Sequence, residues 1–170
     1  RSTWATNEKT AYEAALGMSY AGKRALVCMK HVGLNVAADA FINSAITGVK
    51  GGLVVTVADD PSMHSSQNEQ DTRVYGKFAM IPVLEPTNQQ ELYNTVIDAF
   101  KLSEEQELPV LLRITTRLSH SRSGVERIDS PLAQNTLAPE TDKRKFVLLP
   151  AIARQRYDVL VKEQDTLEAL

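Results

Sequence analysis

The chain has 170 residues, of which 43% are hydrophobic and 24% are charged, and its formal net charge is −2. This length fits one globular domain with a sizeable core, and the small net charge excludes a chain-wide basic field for nucleic acid or an anionic membrane. No signal peptide is predicted, and no apolar run approaches the roughly 20 residues that span a bilayer.

Hydrophobic patterning predicts alternating strands and helices over the first two thirds of the chain. A short strand after Trp4 is predicted to give way at Glu8 to an acidic helix with Asn7 as its N-cap. The predicted helices are 8–21, 34–46, 69–79 and 88–107, and the remaining strands are 24–29, 53–58, 82–84 and 109–115. The short apolar run at 24–29 is typical of a strand buried on both faces. This order indicates an α/β fold with an open, mostly parallel sheet and helices on both faces.

The chain changes character after Thr116. Residues 117–145 are polar and contain Gly and Pro, which predicts an irregular surface segment. A charged helix with an incomplete apolar stripe is predicted from Leu149 onward, either docked on the domain or serving as a linker. The basic residues of this region, with Arg113 of the last strand, are interpreted as a solvated surface. The predicted division is an α/β domain at 1–122, an irregular segment at 123–148 and a C-terminal helix at 149–170.

Polar residues follow the predicted strands. Glu8 follows the first strand, Lys30 and His31 follow the second, and Asp60 follows the third. In open α/β sheets, ligands bind in the crevice outside the carboxyl ends of the strands. The Gly-x-Gly-x-x-Gly and Walker phosphate loops are missing, which excludes the common nucleotide cradles. From the residues alone, Glu8 is an ordinary first-turn carboxylate that complements the helix dipole.

Metal and redox chemistry receive little support from the residue pattern. The three histidines lack the i, i+4 spacing of a helical metal site, so no metal ligand is predicted. Cys28 is the only cysteine, which excludes an internal disulfide and favours a reducing, intracellular setting, taken here as the cytoplasm.

Several short stretches, in their order and spacing, resemble one known family. They are Asn-Glu-Lys at 7–9, MKHVGLNVAAD at 29–39, GVKGG at 48–52, ADDP at 58–61, HSSQ at 64–67, EQDTR at 69–73, PVLEP at 82–86, RITTRLSHSR at 113–122 and the segment 146–154. Together they resemble the alpha subunits of indolepyruvate:ferredoxin oxidoreductases, which are thiamine-diphosphate-dependent 2-oxoacid oxidoreductases. The resemblance covers essentially the whole chain.

This resemblance implies a thiamine diphosphate-binding fold and, within it, the domain that holds the aminopyrimidine of the cofactor. In such enzymes a glutamate at the start of the first helix hydrogen-bonds ring nitrogen N1′ and relays a proton through the cofactor, and Glu8 occupies that place. Lys30, His31 and Asn35 are expected to border the cofactor or a partner domain.

The loop after the third predicted strand is expected to lie nearest the substrate or a subunit interface. Its candidate residues are Asp60, His64, Ser65 and Gln67. Their individual roles stay open.

The family reaction implied by the resemblance is oxidative decarboxylation of indolepyruvate or other aryl 2-oxoacids to acyl-coenzyme A, with electrons passed to ferredoxin. The implied partners are a diphosphate-binding domain of the same subunit, a smaller beta subunit, ferredoxin, coenzyme A and a second copy through this domain.

The chain departs from the full family pattern in three ways. An earlier strand with a Gly-Thr-Pro-Ser type phrase, the Gly-Asp-Gly magnesium–diphosphate signature and the cysteine-rich iron–sulfur segments are missing. We therefore expect a fragment that is inactive alone, with magnesium and iron–sulfur clusters held elsewhere. Two alternatives stay open, a non-catalytic interaction module that retains the fold and a related enzyme for a different 2-oxoacid.

Overall fold

A parallel sheet carries the fold in the computed structural model, which describes residues 2–129, 133, 135–142 and 144–169. Within these residues the helices are α1 (Glu8–Tyr20), α2 (His31–Thr47), α3 (Arg73–Ala79), α4 (Gln89–Gln106), α5 (Thr116–His120) and α6 (Pro150–Glu168). The strands are β1 (Ala25–Lys30), β2 (Leu53–Asp59), β3 (Val83–Leu84) and β4 (Val110–Thr115), paired in the order β1-β2-β4-β3. Every one of these pairings is parallel, which confirms the predicted fold class.

The two central strands are apolar because helices cover both of their faces. In the β2·β4 ladder, Val55 lies opposite Leu111, and both side chains are fully buried. Helices α1 and α2 cover one face, where Tyr12 and Phe41 pack edge to face with ring centroids 6.0 Å apart. Helix α4 covers the other face with a smaller core that contains Val54, Val110, Leu112 and Ala99.

Strand β1 differs from its prediction as a strand buried on both faces. Its burial alternates: Val27 and Met29 are buried, whereas Leu26 and Cys28 are exposed. The cause lies in the helix packing, since α1 and α2 cover one face of β1 while α4 packs on β2 and β4. A half-covered edge strand buries only every second side chain.

Several predicted boundaries are also wrong. Residues 2–7 form no strand: they do not join the four-stranded sheet and so lack the inter-strand hydrogen bonds that define one. Helix α2 begins at His31 directly from the extended backbone of Lys30, so the turn predicted before residue 34 is absent. Helix α3 begins at Arg73 rather than at 69, and the short helix α5 interrupts the segment predicted to be irregular from 117.

The C-terminal helix α6 docks on the domain. Leu160 is buried against the main core, and Gln164 Nε2 donates to the carbonyl oxygen of Met80 at 3.2 Å. Between α5 and α6, positions 130–132, 134 and 143 lie outside the described residues, and the described residues there form no helix or strand. The division at 122 and 148 stays a prediction. Among the described helices, none combines the length and apolar character needed to cross a membrane.

Ser103 connects α4 to the sheet. Its buried Oγ accepts from the backbone N–H of Leu53 at 2.9 Å and donates to the carbonyl oxygen of Leu108 at 2.6 Å. The hydroxyl therefore satisfies backbone groups at the start of β2 and just before β4.

We predict that Ser103→Ala lowers the free energy of unfolding by about 1–3 kcal/mol, because the Leu53 N–H would be buried without an acceptor. Denaturant unfolding of the chain measures this loss. Ser119→Ala is the matched control, since the Ser119 hydroxyl is exposed and bonds only within its own helical turn. Equal effects of the two substitutions would contradict the role assigned to Ser103.

Candidate active site

Parallel pairing places the carboxyl ends of β1, β2 and β4 at one edge of the sheet. In register, Lys30 of β1 lies beside Ala58 of β2, and Asp59 lies beside Thr115 of β4. The loop that follows β2 runs beside this edge, where Asn68 meets His31. Ligand crevices of open parallel sheets lie at this edge.

Glu8 stands at the first position of α1 and is half-buried. Its side chain lies against the backbone of Gly33 in the first turn of α2: a Cβ built on Gly33 would be 2.6 Å from Glu8 Cγ and 2.9 Å from Oε1. Lys9, the next residue, pairs instead with Glu13 at 3.8 Å and Asp39 at 3.7 Å. Within the described part of the chain, the Glu8 carboxylate has neither an ion-pair nor a hydrogen-bond partner, so it is open to an external one.

His31 is fully buried at the first position of α2. Its Nδ1 faces the carbonyl oxygen of Ala58 at 3.4 Å, and its Nε2 faces the backbone and side-chain oxygens of Asn68 at 3.2 and 3.1 Å. Both ring nitrogens are thus directed at oxygen atoms of the protein. The imidazole joins the start of α2 to the end of β2 and to the loop that follows it.

Lys30 strengthens the same junction from the surface. Its Nζ donates to Ser66 Oγ at 2.7 Å and to the carbonyl oxygen of Ser65 at 3.3 Å. Asn35 lies one turn further along α2, is exposed, and accepts a hydrogen bond from the hydroxyl of Tyr75 on α3. The structure therefore brings Lys30, His31 and Ser65 together, whereas Asn35 is engaged with α3.

Asp60 shapes the loop after β2. Its Oδ1 accepts from the Thr116 hydroxyl at 2.6 Å, and its Oδ2 accepts from the Ser65 backbone N–H at 2.7 Å. The hydroxyl of Thr116, followed by the Ser65 N–H, holds the pKa of the Asp60 carboxyl well below its usual range. Ser62 and Met63 have φ values of 68° and 51°, a left-handed turn that this carboxylate helps to hold. His64, Ser65 and Gln67 project from this loop as exposed residues.

An ion network built on the buried pair Asp59 and Arg113, which the sequence analysis missed, lies beneath this loop. Arg113 is 6% exposed, and its Nε donates to Oδ2 of the buried Asp59 at 2.6 Å. Its Nη1 binds Glu85 Oε1 at the end of β3. The interpretation of Arg113 as part of a solvated surface is therefore wrong. A single charge within the apolar run Val110–Thr115 was the available signal, because a cation on a central strand needs a buried counter-ion.

The network continues to the loop through Asp71 and Arg73. Arg73 Nη2 binds Asp71 Oδ2 at 2.6 Å, and its Nη1 lies 3.4 Å from Glu85 Oε2. The Arg73 guanidinium lowers the pKa of Asp71 to about 2. The two arginines therefore tie the far end of the loop, where α3 begins, to the ends of β2, β3 and β4.

A polar cleft of about 390 Å³ opens at the carboxyl end of β4. It is lined by Thr87, Gln89, Thr115, Arg117, Leu118, Ser121 and Arg122. Arg117 is exposed, and within the described residues neither Arg117 nor Arg122 has a carboxylate partner. Sequence reasoning had assigned both to a solvated surface. Their side chains are a source of positive charge on the sheet edge that carries Glu8.

Comparison with known proteins identifies the family of this chain. A family model described as "Pyruvate flavodoxin/ferredoxin oxidoreductase, thiamine diP-bdg" matches residues 3–165. The chain belongs to this thiamine diphosphate-binding family. The resemblance inferred from the short stretches is thereby confirmed at the level of the family.

Curated relatives from this oxidoreductase family are identical to the chain at about half or more of the aligned positions. Indolepyruvate oxidoreductase subunit IorA of Thermococcus kodakarensis is 48% identical over 165 residues, which cover 94% of this chain and 26% of that protein. The IorA subunit of Pyrococcus abyssi is 60% identical over 122 residues, which cover 72% of this chain and 19% of that protein. The chain thus spans about a quarter or less of the length of these relatives.

A solved structure supports the family fold. The 2-oxoglutarate:ferredoxin oxidoreductase from Magnetococcus marinus superposes with a TM-score of 0.68 at 12% sequence identity, covering 99% of this chain and 37% of that one. At this identity the likeness shows the fold alone.

Thiamine diphosphate, the cofactor of this oxidoreductase family, fits the edge that carries Glu8. A ring nitrogen needs one polar partner, and the half-buried Glu8 carboxylate is open within the described residues. The diphosphate and its cation need a different donor set. The described residues contain no group of three or more His, Cys, Asp or Glu side chains arranged to hold a metal ion.

Acid should weaken the loop that Asp60 holds. The pKa of the Asp60 carboxyl is depressed in the folded chain. The contribution of Asp60 to stability is therefore present above the pKa of an unfolded Asp, about 4, and is lost as the pH falls below that value. We predict that Asp60→Asn lowers stability at neutral pH and makes the fall in stability between about pH 5 and pH 2 shallower.

Denaturant unfolding at a series of pH values measures this slope. Asp129→Asn, at an exposed position outside the loop, is the control and should keep the slope of the unmodified chain. If stability falls with pH as steeply in Asp60→Asn as in the unmodified chain, Asp60 does not contribute to the acid sensitivity.

Proposed function

We propose that this chain is the aminopyrimidine-binding part of a thiamine-diphosphate-dependent 2-oxoacid:ferredoxin oxidoreductase of the indolepyruvate type. The observation that carries the proposal is Glu8: a half-buried carboxylate at the start of α1, supported by the first turn of α2 and open within the described residues. Family membership supplies the cofactor, and the names of the IorA relatives support indolepyruvate as the substrate.

Glu8 acts in this proposal as a proton relay at N1′ of the aminopyrimidine. Once bound, the cofactor supplies the carbon nucleophile and the electron sink for decarboxylation of a 2-oxoacid. Glu8 binds the ring nitrogen, orients the ring and moves a proton at its own carboxylate. Half-burial suits this task, because hydrogen bonds to a charged group strengthen as water is excluded.

The residues around Glu8 have supporting roles in this proposal. Lys30 and His31 shape the border of the cofactor site indirectly, because they hold the loop after β2 against the start of α2 through Ser65, Ser66 and Asn68. Asn35, bound to Tyr75, borders the partner domain.

The loop after β2 is proposed to face the substrate or a subunit interface. Asp60 fixes its shape through Thr116 and the Ser65 N–H. His64, Ser65 and Gln67 are the exposed residues that can reach outward from it.

The carboxylate of a 2-oxoacid also needs a cation. Arg117 lies in the polar cleft at the end of β4, and Glu8 lies against the first turn of α2, which follows β1 at the same end of the parallel sheet. A guanidinium can bind a carboxylate through two parallel hydrogen bonds. We therefore assign the substrate carboxylate to Arg117.

The rest of the reaction needs parts beyond this chain. A diphosphate-binding domain of the same subunit would hold the diphosphate and magnesium, and a smaller beta subunit and iron–sulfur clusters would carry electrons to ferredoxin. Coenzyme A would accept the acyl group, and a second copy would associate through this domain. The short span of the chain relative to its relatives supports this division. The cytoplasm is the proposed location, consistent with the free thiol of Cys28.

We predict that Glu8→Gln in the full-length subunit, reconstituted with its beta subunit, lowers 2-oxoacid-dependent reduction of a viologen dye by about 10²–10⁴-fold, because the relay loses its proton-accepting oxygen. Glu13→Gln, one turn further along α1 and exposed, is the matched control and should retain activity. An unchanged rate in Glu8→Gln would refute the proton relay and favour a non-catalytic interaction module.

We predict that Arg117→Ala raises KM for every 2-oxoacid accepted by the reconstituted enzyme by about 10-fold or more, because all of them share the carboxylate that this guanidinium would bind. Steady-state kinetics with the same dye measures KM and kcat separately. Arg154→Ala, an exposed arginine on α6, is the control. A KM equal to that of the control would show that the carboxylate binds elsewhere.

The choice of acid is tested in the same assay. Preference for indolepyruvate and other aryl pyruvates over pyruvate and 2-oxoglutarate is the expected result. A preference for 2-oxoglutarate or pyruvate would favour the related-enzyme alternative while leaving the cofactor assignment intact.

A further inference from the structure

Glycine at position 33 stands where a helix former would be expected. Gly33 is buried in the first turn of α2, where alanine would favour the helix more strongly. Its φ is not positive, so backbone conformation does not require glycine here. The reason for glycine must therefore lie in the space that the absence of a side chain leaves beside its Cα.

The space beside Gly33 is occupied by Glu8. The three atoms nearest to a Cβ built on Gly33 all belong to Glu8: Cγ at 2.6 Å, Oε1 at 2.9 Å and Cδ at 3.0 Å. Carbon atoms not bonded to each other normally approach to about 3.5–4.0 Å. Any side chain at position 33 would therefore push Glu8 away. The first Glu8 atom that it would contact is Cγ, near the base of the Glu8 side chain.

The backbone behind Gly33 is held firmly. His31, two residues earlier in the same turn, is fully buried and bound to Ala58 and Asn68. Leu34, the next residue, is fully buried in the main core. The backbone of the first turn of α2 is therefore held in place by these contacts, and a clash at position 33 would be relieved by movement of the Glu8 side chain.

We propose that Gly33 is a positioning residue for Glu8: its bare Cα forms the surface against which the carboxylate rests and so sets where Glu8 meets the aminopyrimidine. The catalytic part of this inference, that Gly33 sets where Glu8 meets the aminopyrimidine, rests on the proposed function. The contact between the two residues can be tested without it.

The contact is tested by thermal unfolding of this chain in four versions: unmodified, Gly33→Ala, Glu8→Ala and the double variant. With Glu8 present, Gly33→Ala should lower Tm by about 3–8 °C, because overpacking outweighs the gain in helix propensity. In the Glu8→Ala background the same change should raise Tm by about 2–3 °C. Gly17→Ala is the matched control, since no atom lies within 4 Å of its Cβ position, and it should raise Tm in both backgrounds.

The positioning role is tested in the reconstituted full-length enzyme by the rate of hydrogen–deuterium exchange at C2 of bound thiamine diphosphate. Gly33→Ala should slow exchange at saturating cofactor by about 10–100-fold, as expected for a misplacement near 1 Å. The Kd for the cofactor should change little, whereas a merely structural defect would weaken binding and leave exchange at saturation intact. Gly17→Ala should alter neither quantity.

Each outcome bears on the proposal. An unchanged Tm with slowed exchange supports it, because Glu8 would then have swung aside at low cost. Loss of Tm to the same extent in both backgrounds, or unaltered exchange together with a raised Tm in Gly33→Ala, overturns it. Failure of the proposed function can be distinguished from failure of this inference. If the proposed function is wrong, Glu8→Gln leaves the rate of exchange at C2 unchanged, while the Tm values of the four versions still test the contact between Gly33 and Glu8.

Discussion

Parallel pairing of β2 with β1 and β4 is the constraint on which the arrangement of this domain depends. Because the strands run in one direction, their carboxyl ends meet at one edge, and each crossover helix must begin there. The first turn of α2 therefore starts beside the end of β2, and α1 starts beside α2. Residues far apart in the chain, such as Glu8 and Gly33 or His31 and Asn68, become neighbours through this one feature.

Buried charge holds the same edge together. Asp59 ends β2, Arg113 lies within β4 and the exposed Glu85 directly follows β3, and Arg73 and Asp71 extend the set to α3. Burying charges is costly unless each finds a partner, so such a network favours one arrangement of the strand ends over alternatives. The hydrogen bonds of Asp60, Lys30 and His31 then fix the loop that lies above it. The edge is rigid beneath the loop, while the exposed residues of the loop are free to meet a ligand or partner.

Glu8 differs from four other carboxylates at this edge. Asp59, Asp60, Asp71 and Glu85 are all bound by arginines, hydroxyls or backbone N–H groups. Glu8 instead rests on bare backbone and, within the described residues, keeps both oxygens without a partner. The domain thus holds one acid in place by shape rather than by charge, which leaves its polar atoms for an external group. Such an arrangement suits one half of a site whose other half is supplied by another domain.

The sequence by itself determined the α/β class, the parallel sheet with its two helical layers and, through several short stretches, the family. These features are local or additive: apolar runs, helix caps such as Asn7 and short motifs can be read without knowing what packs against what. It misjudged β1, the start of α2 and Arg113, because half-coverage of an edge strand and burial of a cation depend on neighbours distant in the chain. Only the tertiary structure decided that Glu8 lies against Gly33, since the space beside a glycine is defined by the residue that fills it.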